Sequence, residues 1–494
     1  MNDNNSSYKE TLSFSLINYI GIAIGIFATL FLYPNNKESI GIIRFVEGIA
    51  YILYPIFVFG SSQALIHFNS KIDINHKQKL FVYTIYSTVS IGLFFLLLIF
   101  VGSYFNFFHN NKIIYLAFAI AFCMALLELL KKKATIANKL TIPTIFDSLI
   151  PKIALPVLFY FYLAKVIAFN QLLIFYVCIF VAILLLVVFY LKKYFRNIFN
   201  LNFKSLFQII KKKQYFNFSL YAFAGSIGII FALRIDSIMI PMFLTMEDNG
   251  NFSIAISLVS AIAVPANGLF ALYSPIIAKY FSTSNMTELN VKYKEISIFL
   301  FFIGFLLYSC LFLGIENLFL LLPTGAGLLN SVPLVMILGL TILINMGTGF
   351  NTEIITYSNR FRFNLIAIFV LIALNLILNI IFLYFLKLGV IWVAIASMIS
   401  MIVFNAIKLI FIYRKFKLFP FDSKYLGLLI TFTSVLFFVY YIPETISVFF
   451  NLVAKIVLCL ILNLVLVYRL NFVIQYNVLI DNFFNKFSKK NTIS

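Results

Sequence analysis

The sequence predicts an all-α polytopic membrane protein with about 14 transmembrane helices, arranged as two six-helix lobes and a C-terminal helix pair. Hydrophobic residues make up 63% of the chain, only 11% of the residues are charged, and the mean hydropathy is +1.02. An ordinary soluble domain carries about 25% charged residues, so this composition excludes one. The apolar runs are continuous and do not alternate with period two, which excludes a membrane β-barrel.

A helix that crosses a bilayer needs about 20 consecutive apolar residues. The first such run, from Leu12 to Leu32, is too long for a signal peptide, lacks a small-residue cleavage pattern and is followed at once by another span. It is therefore predicted to be a membrane helix. The predicted spans lie near residues 11–33, 41–66, 79–103, 112–130, 142–164, 168–191, 216–243, 250–278, 293–314, 331–352, 363–385, 388–413, 423–442 and 446–470.

Lysine and arginine are distributed unevenly between the two sides of these spans. Most of the 37 lie in the N-terminus, in the connectors after even-numbered spans and in the C-terminal tail. The positive-inside rule therefore places both termini in the cytoplasm. Because the net charge of +20 belongs to these connectors, it indicates contact with anionic membrane lipids and excludes a nucleic-acid partner. The opposite connectors hold only Lys37, Lys112, Lys165 and Lys387.

The two halves of the chain carry a weak parallel repeat. Ser15 and Ser219 open the first and seventh spans, and Pro55 and Pro265 occupy corresponding places in the second and eighth. Six spans is an even number, so both halves enter the membrane in the same sense, as parallel transporter repeats do. The alternative is chance similarity among apolar helices. The predicted domains are an N-terminal lobe at 1–192, a basic cytoplasmic connector at 193–215, a C-terminal lobe at 216–414, and a helix pair with a basic tail at 415–494.

Several segments share the pattern of one transporter family. They are Leu32-Tyr33-Pro34, Gly41-IIRFVEGIAYILYPIFVFGSSQALIHF, Arg234-IDSIMI, Asn251-FSIAISLVSAIAVPANGLF and Ser274-PIIAKYF. Over spans 1 to 12 the chain resembles the polysaccharide flippases, which export O-antigen and capsule repeat units and belong to the multidrug/oligosaccharidyl-lipid/polysaccharide superfamily. The resemblance implies a bacterial inner-membrane protein whose two six-helix lobes open alternately to each side.

The resemblance also implies the cargo and the partners. The cargo would be an oligosaccharide unit of O-antigen (lipopolysaccharide), capsule or exopolysaccharide biosynthesis, linked to undecaprenyl pyrophosphate. The expected partners are this lipid-linked oligosaccharide, membrane lipids and other polysaccharide-assembly proteins. No cofactor or metal is expected, because the four cysteines lie in apolar segments without metal-ligand spacing. No phosphate-binding GxxxxGK, HExxH or nucleophile elbow is present, so the chain is not expected to be an enzyme.

Charged residues inside the spans are the candidate functional residues, since a charge near the bilayer centre costs about 2.5–3.5 kcal/mol. The candidates for binding the cargo are Arg44, Glu47, Lys152 and Arg234. A cationic cavity lowers the cost of moving a pyrophosphate, and the arginine fork binds two oxygens at once. Arg44 and Glu47 are spaced i,i+3, which predicts a local ion pair. That pair either lines the mouth of the cavity or is structural.

Two carboxylates, Asp147 and Asp236, are candidates for binding a coupling cation. On a regular helix Asp147 and Lys152 point about 140° apart, and Arg234 and Asp236 about 160° apart, so neither pair should neutralise itself. Lys152 lies near mid-membrane and is therefore the first candidate for contact with the anionic cargo. The alternative for Arg234 and Asp236 is a salt bridge within or between the lobes.

Two other functions compete with the flippase. A cation-coupled multidrug exporter of the same fold would favour an acidic cavity, whereas the deep charges here are mixed, with Lys152 and Arg234 prominent. A membrane glycan polymerase or ligase would present a larger outer loop with catalytic polar residues. The outer connectors are short, and the longest runs from about 315 to 330. The flippase is therefore the leading interpretation.

Overall fold

The computed structural model describes residues 20–69, 71–107, 111–137, 139, 141–192, 203–360, 362–444 and 447–491. In this described part the chain is helical, with no β-strand. The chain divides into two compact units, Met1–Ser253 and Ile254–Ser494. The lobe boundaries given by the sequence repeat differ from this division and stay a prediction.

The first unit consists of helices joined by short connectors. In chain order its helices are α1 (Ile20–Phe31), a 3₁₀ turn (Tyr33–Asn36), α2 (Lys37–Val58), α3 (Ser61–Asn69), α4 (Ile74–Tyr104), α5 (Asn111–Ile136), α6 (Thr141–Leu163), α7 (Phe169–Leu191), α8 (Lys204–Ile209), α9 (Lys212–Arg234) and α10 (Asp236–Phe243). The next helix, α11 (Met246–Val259), contains the boundary between the units.

The second unit continues with a 3₁₀ turn at Ser260–Ala263 and ends with a helix rich in polar residues. Its helices are α12 (Val264–Ser282), α13 (Met286–Leu321), α14 (Gly325–Leu328), α15 (Val332–Gly347), α16 (Asn351–Tyr357), α17 (Arg362–Asn379), α18 (Ile391–Phe416), α19 (Ser423–Tyr440), α20 (Val448–Leu470) and α21 (Ile474–Asn491). A second 3₁₀ turn covers Leu329–Ser331, and a π-helical stretch covers Ile380–Phe385.

The predicted fold class is confirmed. Among the described residues, 13 helical segments are long and apolar enough to cross a membrane, and α1 is a shorter apolar helix. The first predicted span, 11–33, begins outside the described residues, and α1 forms the part of it that is described. The protein is therefore a multi-pass membrane protein.

Each unit has its own apolar core. In the first unit, Leu65, Phe81, Leu127 and Val187 are almost fully buried and join α3, α4, α5 and α7. In the second unit α13 is central, since it packs against α15, α19 and α20. The ring centroids of its Phe305 and of Phe432 on α19 are 4.9 Å apart.

Several predicted spans are divided in the described part of the chain. The second breaks after α2, where Phe59 and Gly60 have φ of 43° and 69°. This break lies just beyond Pro55, which cannot donate a backbone hydrogen bond. In the seventh, Ile235 separates α9 from α10 but keeps right-handed helical dihedrals. The eighth changes to a 3₁₀ turn at Ser260–Ala263, immediately before α12. Pro265 lies in the first turn of α12, the position of a helix that proline favours.

Glycines allow α2 and α11 to approach closely. A Cβ added to Gly41 would lie 1.8 Å from the backbone oxygen of Met246, and one added to Gly250 would lie 2.1 Å from that of Lys37. The Asn249 side-chain amide donates to the Gly41 carbonyl oxygen at 2.8 Å. Small residues let membrane helices approach until their backbones touch. The contact fixes α11 against α2.

Gly41→Ala is expected to destabilise the protein by about 3 kcal/mol, because the new methyl group meets backbone that must shift. The matched control is Gly25→Ala in α1, where an added Cβ meets nothing within 4 Å. The control should leave stability unchanged or slightly higher, since alanine favours the helix. Thermal unfolding in detergent measures both variants. Equal unfolding midpoints for the two would contradict the close helix contact.

Candidate functional site

An ion pair on α2 is held by a tyrosine from α7. The Arg44 Nη1 atom lies 2.6 Å from Glu47 Oε2, which forms the pair predicted from the i,i+3 spacing. The Tyr176 hydroxyl donates to Glu47 Oε1 at 2.5 Å. The Glu47 side chain is 8% exposed, so both of its oxygens are engaged away from solvent. Its negative charge is therefore compensated within the first unit.

Arg234 lies beside this pair. It is the last residue of α9, and its guanidinium carbon lies 4.1 Å from the centroid of the Tyr51 ring, one turn beyond Glu47 on α2. Arginine over a tyrosine face is a cation–π contact. Among the described residues, no carboxylate oxygen lies within 4.0 Å of the Arg234 guanidinium nitrogens, the distance that defines an ion pair. Its positive charge therefore has an aromatic partner and no ion-pair partner in the part of the chain that the structure describes.

Gly48 makes the approach of α9 and α10 to α2 possible. A Cβ added there would lie 3.3 Å from the side chain of Ile238 and 4.0 Å from the backbone oxygen of Arg234. The α9–α10 junction thus sits directly on the turn of α2 that carries Glu47. A single surface of the first unit brings together Arg44, Glu47, Tyr51 and Arg234, which we call the arginine cluster.

Asp236 follows Arg234 across the junction of α9 and α10. Ile235 between them keeps right-handed helical dihedrals, with φ of −60° and ψ of −37°, so the junction does not contradict the helical angle expected between the two side chains. That angle stays a prediction. Asp236 is 9% exposed and lies in the first turn of α10. The amide groups at a helix N-terminus favour a carboxylate there.

Asp147 belongs to an ion-pair network between α5 and α6. Its Oδ2 atom lies 2.7 Å from the ammonium group of Lys131, which also lies 3.3 Å from Glu128. Lys132 contacts the other oxygen of Glu128 at 3.1 Å. The Asp147 carboxylate already has a protein cation as a partner.

Lys152 lies on the same helix as Asp147 but outside this network. Among the described residues no carboxylate is within ion-pair distance of its ammonium group. Its side chain lies against α1, since a Cβ added to Gly21 would be 2.8 Å from Lys152 Cδ and 3.3 Å from Nζ. The side chain is partly exposed. Lys152 is thus a second cation of the first unit without an ion-pair partner among those residues.

The sequence reasoning missed a buried lysine in the second unit. Lys408 on α18 is 1% exposed, and its ammonium group donates to the Thr352 hydroxyl at 2.7 Å and lies 3.8 Å from the Phe404 ring centroid. Beside it, Asn405 accepts hydrogen bonds from Asn351 and Thr348. The sequence does contain an indication of this residue, because Lys408 is a charged residue inside the predicted span 388–413. Its burial could not be read from the sequence.

No metal site is formed by the part of the chain that the structure describes. No group of three or more His, Cys, Asp or Glu residues there could hold a metal ion. The arrangement in the first unit offers cationic and aromatic groups, which suit an anionic or a sugar-bearing ligand.

Glu47→Gln is expected to destabilise the protein by about 3 kcal/mol, because it leaves the Arg44 guanidinium without its counter-ion. The matched control is Glu295→Gln, which breaks another i,i+3 pair, Lys292–Glu295, at 2.8 Å in a more exposed setting. Pairs of that kind contribute about 0–1 kcal/mol. Chemical unfolding in detergent compares the two variants. If Glu47→Gln lowers the free energy of unfolding by no more than the control does, the Arg44 charge is solvated and the account of a buried ion pair is contradicted.

Comparisons with known proteins identify the fold. No protein-family model and no curated protein matches the sequence. The lipid II flippase MurJ, in an inward closed conformation, matches with a TM-score of 0.70 at 17% identity, over 94% of this chain and 99% of that chain. An inward-facing multidrug resistance MATE transporter of the MOP superfamily matches at 0.58 and 13% identity, over 82% and 94%.

A third solved structure shares the same architecture. It is a MOP superfamily transporter from Pyrococcus furiosus, described as having a binding pocket of reverse polarity, and it matches with a TM-score of 0.52 at 13% identity over 83% and 96% of the two chains. At such identities the likeness shows the fold. The chain therefore has the fold that MurJ and the MATE transporters share.

Proposed function

We propose that this chain, which has the fold of MurJ and the MATE transporters, is a flippase for an oligosaccharide linked to undecaprenyl pyrophosphate. It would move this unit across the bacterial inner membrane for polysaccharide biosynthesis, by alternating access and without covalent chemistry. The observation that carries the proposal is the charge balance of the first unit. Glu47 and Asp147 are bound to protein cations, whereas Arg234 and Lys152 have no ion-pair partner among the described residues.

The physics of the cargo explains why that balance matters. The costly step in flipping is to move a pyrophosphate and a polar glycan through a medium that solvates neither. A charge in hydrocarbon costs several kcal/mol, so the path must supply opposite charge. Arg234 can offer two parallel N–H groups to a phosphate, and Lys152 can offer a mobile point charge. The Tyr51 ring beside Arg234 is also suited to stacking on a sugar.

The likeness to MurJ supports a lipid-linked cargo, because MurJ is described as a flippase of lipid II. The likeness to MATE transporters leaves a multidrug exporter as the competing function. An exporter of cationic drugs would need acidic groups that are free to meet the drug. In the first unit the carboxylates Glu47 and Asp147 are already engaged, which favours the anionic cargo.

Coupling to a cation gradient is assigned to Asp236 in this proposal. Asp147 is held by Lys131 at 2.7 Å, so a second cation would have to displace that ammonium group. Asp236 instead lies at the junction of α9 and α10, where the helix is divided at Ile235 and a change in backbone direction would alter its surroundings. Binding a cation at a helix break is a known way of linking ion binding to helix movement in transporters.

Arg234→Gln and Lys152→Gln are each expected to slow transport about tenfold, because a hydrogen bond to a charged group contributes about 1.5–3 kcal/mol. The measurement is translocation of an undecaprenyl-pyrophosphate oligosaccharide in proteoliposomes. The matched control is Lys455→Gln, since Lys455 lies in α20 and is paired with Glu444 at 3.1 Å. The control should transport at the wild-type rate.

Two results would contradict the proposal. Wild-type protein that does not translocate the lipid-linked oligosaccharide would remove the flippase function. If Arg234→Gln and Lys152→Gln both transport at the wild-type rate, the flippase function stands but these two side chains do not contact the cargo.

Asp236→Asn is expected to make transport independent of the proton or sodium gradient while Asp147→Asn keeps that dependence. The reason is that only the first change removes a carboxylate that is not committed to the α5–α6 ion-pair network. Transport rates with and without each imposed gradient give the comparison. Full gradient dependence in Asp236→Asn would exclude the coupling role.

A further inference from the structure

A cavity of about 420 Å³ lies in the second unit, where three segments that join membrane helices meet. It is lined by residues of the α12–α13 junction, the α16–α17 junction and the C-terminal end of α18. All three segments follow even-numbered predicted spans, so the sequence predicts that they lie on the cytoplasmic side. Pockets of about 300–1,000 Å³ hold small ligands in proteins. The cavity is therefore large enough for one.

Two of the described residues that line this cavity carry a positive charge, and none of them carries a negative charge. The cations are Arg360, which lies between α16 and α17, and Lys415 in the last turn of α18. Both residues are exposed, so a ligand can reach them from solvent. Among the described residues, no carboxylate oxygen lies within 4.0 Å of either cationic group. No ion pair in that part of the chain compensates these two charges.

The sequence around the cavity has the same sign of charge. The segments 279–288, 357–362 and 413–417 contain all the lining residues, and their only acidic residue, Glu288, does not line the cavity. Their further basic residues are Lys279, Arg362, Arg414 and Lys417. A recess surrounded by one sign of charge raises the local concentration of the opposite ion. The cavity would therefore attract an anion.

The backbone that carries the two cations is held in place by nearby contacts. The Arg360 N–H donates to Ser358 Oγ at 3.1 Å, and the Ser358 hydroxyl donates to the Ile355 carbonyl oxygen at 2.8 Å. At the end of α18 the Phe416 ring meets the Phe281 ring edge-on, with centroids 5.6 Å apart. A site whose backbone is already ordered loses less entropy when a ligand binds.

The other polar residues that line the cavity can donate hydrogen bonds to an anion. They are the hydroxyl-bearing Tyr357 and Ser284 and the amide-bearing Asn359, and all three are exposed. Hydroxyl and amide groups supply O–H and N–H donors. The lining thus combines two cations with three neutral donors, which suits a ligand rich in acceptor oxygens.

We propose that this cavity binds a diphosphate diester, the group in which two linked phosphates join two organic substituents. The Arg360 guanidinium binds one phosphate with two parallel N–H groups, and the Lys415 ammonium binds the other as a point charge. The number of charges decides against an ordinary phospholipid, because a diphosphate diester carries two negative charges and a phosphodiester carries one. Lipid-linked sugars and soluble nucleotide sugars both contain the diphosphate diester, and the cavity recognises the part that they share.

The test measures the binding of inorganic pyrophosphate and of inorganic phosphate to the full-length protein in neutral detergent by isothermal titration calorimetry. Wild-type protein should bind pyrophosphate saturably and more tightly than phosphate. Arg360→Gln and Lys415→Gln should each weaken pyrophosphate binding about tenfold, the effect of losing a charged hydrogen bond. The matched controls are Arg362→Gln and Arg414→Gln, which remove the same charge from neighbours that do not line the cavity and should keep the wild-type affinity.

Three results of this titration would overturn the proposal. The first is the absence of saturable pyrophosphate binding. The second is an equal loss of affinity in the variants and their controls, which would mean a general attraction to surface charge. The third is unchanged binding in the double variant of Arg360→Gln and Lys415→Gln, which would place the anion at another site, such as the arginine cluster.

A competition experiment then distinguishes the sources of the diphosphate. Bound pyrophosphate is challenged with uridine diphosphate glucose in solution, and with undecaprenyl-pyrophosphate oligosaccharide or phosphatidylglycerol in mixed micelles. Displacement by the nucleotide sugar or by the lipid-linked oligosaccharide supports the site and identifies its ligand as soluble or membrane-bound. Displacement by neither, or equally good displacement by phosphatidylglycerol, would overturn the proposal. No arm measures transport, so the outcome is separate from that of the proposed flippase function.

Discussion

The cost of a charge in the membrane interior is the constraint on which the rest of the structure depends. A charge there must find a partner, a water-filled path or a cargo, since hydrocarbon offers none of them. In the first unit Glu47 meets Arg44 and Tyr176, and Asp147 meets Lys131. Arg234 and Lys152 have no ion-pair partner among the described residues. The proposed recognition of a pyrophosphate uses these two cations.

Broken helices give this charge arrangement its geometry. The interruption at Ile235 sets Arg234 at the end of α9 and Asp236 at the start of α10, and Gly48 lets that junction rest on α2. At Phe59 and Gly60 the chain leaves the helical conformation, and the Phe59 ring stacks on Phe223 of α9. A glycine permits close contact with α9 or α10 in both places, at Gly48 and at Gly60. Irregular backbone at membrane depth is tolerated only where protein or a cavity surrounds it.

The sequence was sufficient for the fold and for part of the site. Continuous apolar runs predicted the spans, because composition alone decides which segments can cross a bilayer. The i,i+3 spacing predicted the contact of Arg44 with Glu47. Tyr176 could not be predicted as the partner of Glu47, since it lies 129 positions away and only the packing of α7 on α2 brings it there.

Other features depend on packing that no local pattern specifies. The division between α9 and α10 at Ile235 could not be predicted, because no proline or glycine marks that position in the sequence. The burial of Lys408 depends on Thr352 and Phe404 lying beside it on the folded chain. The roles of the candidate residues stay predictions, since they depend on the cargo and on the movement of the helices. The lobe boundaries stay predictions as well.

The most direct test of the central claim is the fate of the carrier lipid in cells depleted of this protein. Lipids are extracted, and the side of the inner membrane on which the undecaprenyl-linked oligosaccharide accumulates is measured by its accessibility to a glycan-modifying enzyme added from outside to spheroplasts. The flippase account predicts accumulation on the cytoplasmic side, inaccessible to the enzyme. Unchanged carrier lipids together with altered drug sensitivity would contradict it and would identify a multidrug exporter.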